Sequence, residues 1–154
     1  MNIPISIPLD NDGFMRRECP NCLKQFKWHD GPANEDAEHQ PSASAYYCPF
    51  CGQPAGLDQW WTTEQVEYTR GMAAPAAMQL MDDELSKAFR GLNSKHVKVT
   101  KKGSFDRPAE PDPMVEPDDM IILASPCHAW EPIKVPDETQ APVHCLVCGQ
   151  VFAF

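Results

Sequence analysis

The chain has little of what most small folds rest on. Among its 154 residues no apolar run approaches the roughly 20 that a membrane-crossing helix needs. The opening stretch, MNIPISIPLDNDG, lacks a basic patch followed by an apolar core, so no secretory leader is expected and the expected location is cytoplasmic. Basic residues are scarce: 13 Lys and Arg face 22 Asp and Glu, for a formal net charge of −9. Such a field repels phosphate backbones and anionic lipid, which argues against nucleic acid and membrane surfaces as partners. Apolar residues come in short clusters broken by 16 prolines, so one large core is not expected. A chain that buries so little in any one place needs a staple: a metal, a disulfide or a partner.

The staple is visible in the cysteines. There are seven, and an odd number does not close a disulfide framework. In a reducing compartment paired cysteines bind metal more often than they oxidise. Four lie in two pairs, Cys19-Pro-Asn-Cys22 and Cys48-Pro-Phe-Cys51, with 25 residues between them. A two-residue gap lets both sulfurs of a pair face one ion while backbone N–H groups point at them, and four thiolates suit tetrahedral zinc, with iron as the competing metal. Gly52 follows the second pair, where the turn favours a positive φ. Leu23 holds the matching place after the first, which predicts a less regular turn there. Phe14, Phe26, Trp28, Tyr46 and Tyr47 flank the pairs and predict short strands.

A second set is incomplete in cysteine. Cys145-Leu-Val-Cys148-Gly149 repeats the motif, and Cys127 precedes Cys145 with seventeen residues between, but Trp130 stands where a fourth cysteine would fall. His128, His144 and Glu131 are the nearby candidates for the fourth ligand. Glu131 is a hard donor, poorly matched to three thiolates. Both histidines adjoin a cysteine, and neighbouring side chains diverge; a turn led by Pro126 can fold Cys127 and His128 onto one ion, which favours His128 over His144. MIILA before Cys127, IKV after it, VH before Cys145 and VFAF after Cys148 predict two hairpins around this set. A zinc deaminase would place Glu two residues after His and Pro before its Cys-x-x-Cys pair. Here Glu131 is one position late, no proline precedes Cys145, and Cys127 would be spare.

Between the two sets the sequence reads differently. Residues 30–45 are polar and turn-rich, a surface loop. Thr62-Thr63-Glu64-Gln65 opens a helix with a capping-box pattern. Pro75 is expected to kink it or start a second segment, in which Met78, Met81, Leu85, Ala88, Phe89 and Leu92 recur at helical spacing up to a stop near Gly91. Trp60 and Trp61 read as packing at the helix start. KHVKVT alternates and predicts a short strand with lysines on an exposed edge. FDRPAEPDPMVEPDD predicts an extended acidic connector.

ECPNC, YYCPFCGQ and CLVCGQ resemble the zinc-ribbon superfamily, in which two turns of this kind at the tips of hairpins share one zinc. The run YCPFCGQPAGLDQWWTTEQVEY with the later CH, EPIKV and HCLVCG is similar to small bacterial proteins that carry two such ribbons and have no settled activity. The resemblance implies ligand roles for Cys19, Cys22, Cys48, Cys51, Cys127, Cys145 and Cys148, and no catalytic residue. The expected fold is a small metal-stabilised α+β one: a ribbon over 1–58, a helical segment over 59–93, a strand and acidic Pro-rich connector over 94–120, and a second ribbon over 121–154. Two zinc ions, one on the four cysteines and one on Cys127, His128, Cys145 and Cys148, are the expected cofactors. The expected role is that of a non-enzymatic interaction module or accessory subunit with a protein partner. A nucleic-acid-associated ribbon protein is the alternative class, and a zinc hydrolase or deaminase a remote one.

Overall fold

The computed structural model describes residues 2–154. It divides into two compact units, one of residues 2–6 with Glu64–Pro113 and one of Ile7–Thr63 with Met114–Phe154. Hairpins flank one long helix along the chain, an α+β arrangement of the expected kind.

The larger unit is built on strands β1 (Phe14–Glu18), β2 (Gln25–His29), β5 (Met120–Leu123) and β6 (Ile133–Pro136). They form one antiparallel sheet in the order β1-β2-β6-β5, so strands from the two ends of the chain share a single sheet. Strands β3 (Ala45–Tyr47) and β4 (Pro54–Gly56) make a second hairpin, and β7 (Val143–His144) and β8 (Val151–Phe152) a third. In the loop between β2 and β3, Asn34 caps a single helical turn, α1 (Glu35–Glu38), its side chain accepting from the Ala37 N–H at 2.9 Å.

Alternation sorts the large sheet into two unlike faces. Phe26, Trp28, Ile133, Val135 and Leu123 point to a core completed by Trp60, Val143, Leu146 and Phe152. Trp60, fully buried, meets Phe26 and Trp28 edge-on with ring centres 5.7 and 5.8 Å away. Trp61, its neighbour, is 43% exposed and lies over the Arg17 guanidinium, which Trp28 covers from another side. Burial lowers Arg17 to a pKa of about 10 against the pull of Asp30, and its Nε and Nη1 are buried with no hydrogen-bond partner.

The opposite face is ionic. Lys27 and Lys134 project from it, and both are buried. Lys27 Nζ reaches Asp10, Glu116 and Asp119 at 3.2, 2.9 and 3.0 Å. Lys134 Nζ reaches Asp10, Asp12 and Asp118 at 2.8, 2.6 and 2.7 Å. The acids of the connector near residue 116 therefore roof this face. Extended backbone was expected there; the ordered roofing role was not.

The smaller unit holds helix α2 (Thr63–Gly91) from Glu64 onward, the segment that follows it to Pro113, and residues 2–6. The helix begins where Thr62-Thr63 predicts and ends at Gly91, but it runs through Pro75 without interruption. Gly71 and the alanines at 73, 74, 76 and 77 leave room for the ring. The strand expected at KHVKVT does not form. A strand needs a ladder partner, and no strand lies within this unit. Instead Asn93 Oδ1 accepts from the Val99 N–H at 2.6 Å, Lys101 pairs with Asp82, and the chain returns along the helix until Pro111 lies against Gly71. Among the described residues no helix is long and apolar enough to cross a membrane.

Candidate metal centres

Three turns of one design carry six of the seven cysteines, all but Cys127. In each, the N–H of the first cysteine bonds to the carbonyl five residues on: Cys19 to Lys24, Cys48 to Gln53 and Cys145 to Gln150, at 3.0, 3.0 and 2.9 Å. The N–H four residues on returns to that cysteine's carbonyl: Leu23 to Cys19, Gly52 to Cys48 and Gly149 to Cys145, at 3.0, 2.9 and 2.8 Å. The fifth residue of each turn has a positive φ, of 62°, 71° and 73°. The first turn is thus as regular as the others, and Leu23 adopts a conformation that side chains disfavour. The irregularity expected from Leu23 is absent because the turn's hydrogen bonds, and not the residue, fix the backbone.

The first centre joins the turns after β1 and β3. Cys19 Sγ lies 3.7 Å from Cys51 Sγ, and Cys22 Sγ 3.7 Å from Cys48 Sγ. All four sulfurs lie within 4.8 Å of one another. Four thiolates at zinc bonds of about 2.3 Å in a tetrahedron stand about 3.8 Å apart, so the spacing fits a shared ion. A disulfide would need about 2.0 Å. The Asn21 and Cys22 N–H groups point at Cys19 Sγ, and those of Phe50 and Cys51 at Cys48 Sγ, at 3.4 to 3.5 Å. Burial raises the Cys22 and Cys48 thiols, whereas at Cys51 the Gln53 N–H, the Asn21 amide and the neighbouring sulfurs outweigh burial and bring the pKa down to about 7. Thiolate is what a metal binds.

The second centre gathers Cys127, His128, Cys145 and Cys148, again within 4.8 Å. Cys127 Sγ is 3.6 Å from Cys148 Sγ, and His128 Nδ1 is 3.5 Å from Cys145 Sγ. The second distance matches the edge of about 3.6 Å between sulfur and nitrogen on one tetrahedral ion. Ser125, buried and missed in the sequence, makes the adjacency of Cys127 and His128 workable. Its hydroxyl donates to Cys145 Sγ at 3.1 Å and accepts from the His128 N–H at 3.2 Å, pinning the turn at Pro126. The two centres differ in exposure: Cys19, Cys48 and Cys145 are buried, whereas Cys127 and Cys148 are exposed.

His144 is elsewhere. Its Nδ1 donates to the Pro49 carbonyl at 3.1 Å, and its ring packs on Gly52, where a Cβ would come within 2.8 Å. The same contact recurs with the roles exchanged: the Tyr47 ring packs on Gly149, where a Cβ would come within 2.7 Å. Two backbone bonds match it, Tyr47 N–H to the Leu146 carbonyl and His144 N–H to the Pro49 carbonyl, both 2.8 Å. The turns at 48–52 and 145–149 are therefore docked reciprocally, each glycine under the residue that precedes the other turn. Leu23 has no such neighbour and is 66% exposed, so a side chain is tolerated there and not at 52 or 149.

A third cluster, this one acidic, is Asp10, Asp12 and Asp118, which already surround the Lys134 ammonium. Glu131 takes no part in either centre. Burial raises its carboxyl against the pull of His29. It lines, with Arg17, Trp28, Tyr46, Tyr47, Leu57, His128 and Trp130, a cleft of about 1060 Å³ beneath the loop that carries α1.

Compared with known proteins, the chain matches no family model, no curated protein and no solved structure.

Proposed function

We propose that the chain is a zinc-stapled protein-interaction module, with one zinc in each centre and the aromatic cleft beside the second as its contact surface. Each ion takes four protein ligands, Cys19, Cys22, Cys48 and Cys51 at one centre and Cys127, His128, Cys145 and Cys148 at the other. A zinc with four protein ligands keeps no position for a substrate and acts as a scaffold. The ions tie four short hairpins together in pairs, β1–β2 to β3–β4 and β5–β6 to β7–β8, and so fix the walls of the cleft.

The observation that carries the reading is the lining of that cleft. Trp28, Tyr46, Tyr47 and Trp130 come from three separate segments and meet around one opening with Leu57 and Arg17. Tyrosine, tryptophan and arginine are the residues that anchor protein interfaces. The net charge of −9 opposes a nucleic-acid role for the same surface.

Metal analysis of protein purified without added metal should give two zinc ions per chain. A photo-crosslinking residue at Trp130 should capture a discrete protein in the native host, and one at Val97, which is 55% exposed in the other unit, should not. Tight, salt-sensitive DNA or RNA binding in a gel shift, with no protein captured at 130, overturns the proposal.

A further inference from the structure

Arg17 stands on the wrong face of the large sheet for a charged residue. It pairs with Phe26 across the β1–β2 hairpin, so alternation points it to the aromatic side. Arg16 and Lys27, the pair before it, point to the ionic side. Arg17 is only 7% exposed, and the ring centres of Trp28 and Trp61 lie 4.5 and 4.7 Å from its Cζ. Yet its Nε and Nη1 are shut off from solvent with no hydrogen-bond partner, and no carboxylate among the described residues forms an ion pair with the group. Asp30 attracts it from a distance and does not reach it.

Two indole rings do not replace what this guanidinium has lost. A ring face attracts the positive charge, but the in-plane N–H groups need acceptors, and a buried charge without them is strongly unfavourable. The same unit shows the contrast: Lys27 and Lys134, also buried, are each met by three carboxylates. Arg17 lines the aromatic cleft, whose other walls include Tyr46, Leu57 and Trp130. Both bidentate grips on a guanidinium use Nη2, with Nε on one side or Nη1 on the other, so either grip meets one of the unpartnered nitrogens. Trp61, 43% exposed, is the cover that faces solvent and has room to turn aside.

We infer that Arg17 receives a carboxylate in this cleft, supplied by an aspartate or glutamate side chain of a protein partner. The inference rests on the cleft being the contact surface proposed above, and it names the chemistry that the surface selects. One guanidinium matches one negative charge. A phosphate monoester carries about −1.5 to −2 at neutral pH and would bring its excess charge towards Glu38 and Glu131, which line the same cleft. The net charge of −9 repels a strongly acidic partner, so the carboxylate belongs to a single acid in an otherwise neutral segment. The aromatic walls suit the apolar neighbours of that acid.

Acetate is the probe, titrated into the zinc-loaded full chain at constant ionic strength. It should shift the Arg17 Nε–H and Trp61 indole N–H signals in a nitrogen–proton NMR spectrum and saturate below about 100 mM, as a millimolar ligand does. Arg17→Lys keeps the charge but loses the fork, and should weaken acetate, read at Trp61, at least about tenfold. Arg17→Met should abolish the response and melt no more than about 3 °C below wild type, because the unpartnered charge leaves with the side chain. Arg17→Met should also remove at least about nine-tenths of the protein captured by the crosslinker at Trp130, as loss of an anchor residue does. A silent acetate titration, phosphate binding tighter than acetate, or an Arg17→Met chain that melts further below wild type overturns the inference, even where a protein is captured. Acetate bound at Arg17 with nothing captured at Trp130 would sink the proposed function instead, and with it the protein as carrier, leaving a free carboxylic acid as the ligand.

Discussion

Lys27 and Lys134 are direct cross-strand partners in the β2–β6 pairing, and both are buried. Like charges so placed destabilise a sheet, and the desolvation of two ammonium groups adds several kcal/mol per ion. The sheet tolerates them because Asp10 bridges the two and Asp12, Glu116, Asp118 and Asp119 close around them. The join between the two ends of the chain is thus an ionic cluster on one face and an apolar core on the other.

Removing one cation should cost more than any single surface change. Lys134→Met leaves Asp10 buried and short of a partner and crowds Asp12 with Asp118, and should destabilise by about 3–5 kcal/mol. Urea unfolding of the zinc-loaded protein measures it. A loss under 1 kcal/mol would mean that the cluster opens to water.

The same cluster gives a signature in acid. Burial pushes the Asp10 carboxyl up, but hydrogen bonds from Lys134, from the Phe14 and Asp12 N–H groups and from Lys27 outweigh it and hold the pKa at about 2, below the ordinary 3.8. A carboxylate with a lowered folded-state pKa adds stability that is complete above its unfolded value and fades as pH falls towards the folded one. The stability gap between wild type and Asp10→Asn should therefore be constant above pH of about 5 and shrink between about pH 4 and pH 2. Taking the difference between the two proteins cancels the proton-driven loss of metal that they share. A gap that does not change with pH would refute the assignment.

Position 23 and position 52 should respond oppositely to substitution. Leu23→Gly relieves a left-handed leucine, worth about 1–2 kcal/mol, at an entropic cost of about 0.5–1 kcal/mol. It should be neutral or stabilising by up to about 1 kcal/mol. Gly52→Leu meets both the positive φ and the His144 ring and should destabilise by more than about 2 kcal/mol. Thermal melts of the two variants with zinc in excess make the comparison.

The two histidines should separate by readout. His128→Ala removes a ligand and should lower the zinc content towards one ion per chain under mild chelator competition. His144→Ala should keep both ions and lower thermal stability by about 1–2 kcal/mol, through the hydrogen bond to Pro49 and the packing on Gly52. Equal loss of metal in both variants would place His144 at the second centre.

The parts of this molecule legible in the sequence are those whose partners are close in the chain. A Cys-x-x-Cys turn is a local object, and the strands beside each turn follow from Phe14, Phe26, Tyr46, Val143 and Phe152 within a few residues of the sulfurs. His128 could be weighed against His144 because Pro126 lies beside it. What escaped reading depends on residues far apart. Lys27 looks like a solvated strand residue until Glu116 and Asp119 arrive from some ninety positions on. Ser125 has no motif of its own; its importance comes from Cys145. Lys98 and its neighbours had the alternation of a strand and no edge to join, so the local pattern predicted a strand that the tertiary setting did not supply. The docking of Tyr47 on Gly149 and of His144 on Gly52 is invisible in the repeated motif, where the turn's φ alone accounts for Gly52.

The strand order β1-β2-β6-β5 also sets a timetable for the ribosome. The first hairpin leaves the exit tunnel long before the strand that flanks it. The two turns of the first centre, one in this hairpin and one in the β3–β4 hairpin, are complete by Gly52, so the first ion can be captured early. Lys27, however, waits without counter-charge until Asp119 emerges, and Gly52 waits without its histidine until His144 does. A nascent chain halted in between would present a metal-loaded but half-roofed sheet, open along one strand edge, and chaperones would be expected to engage it there.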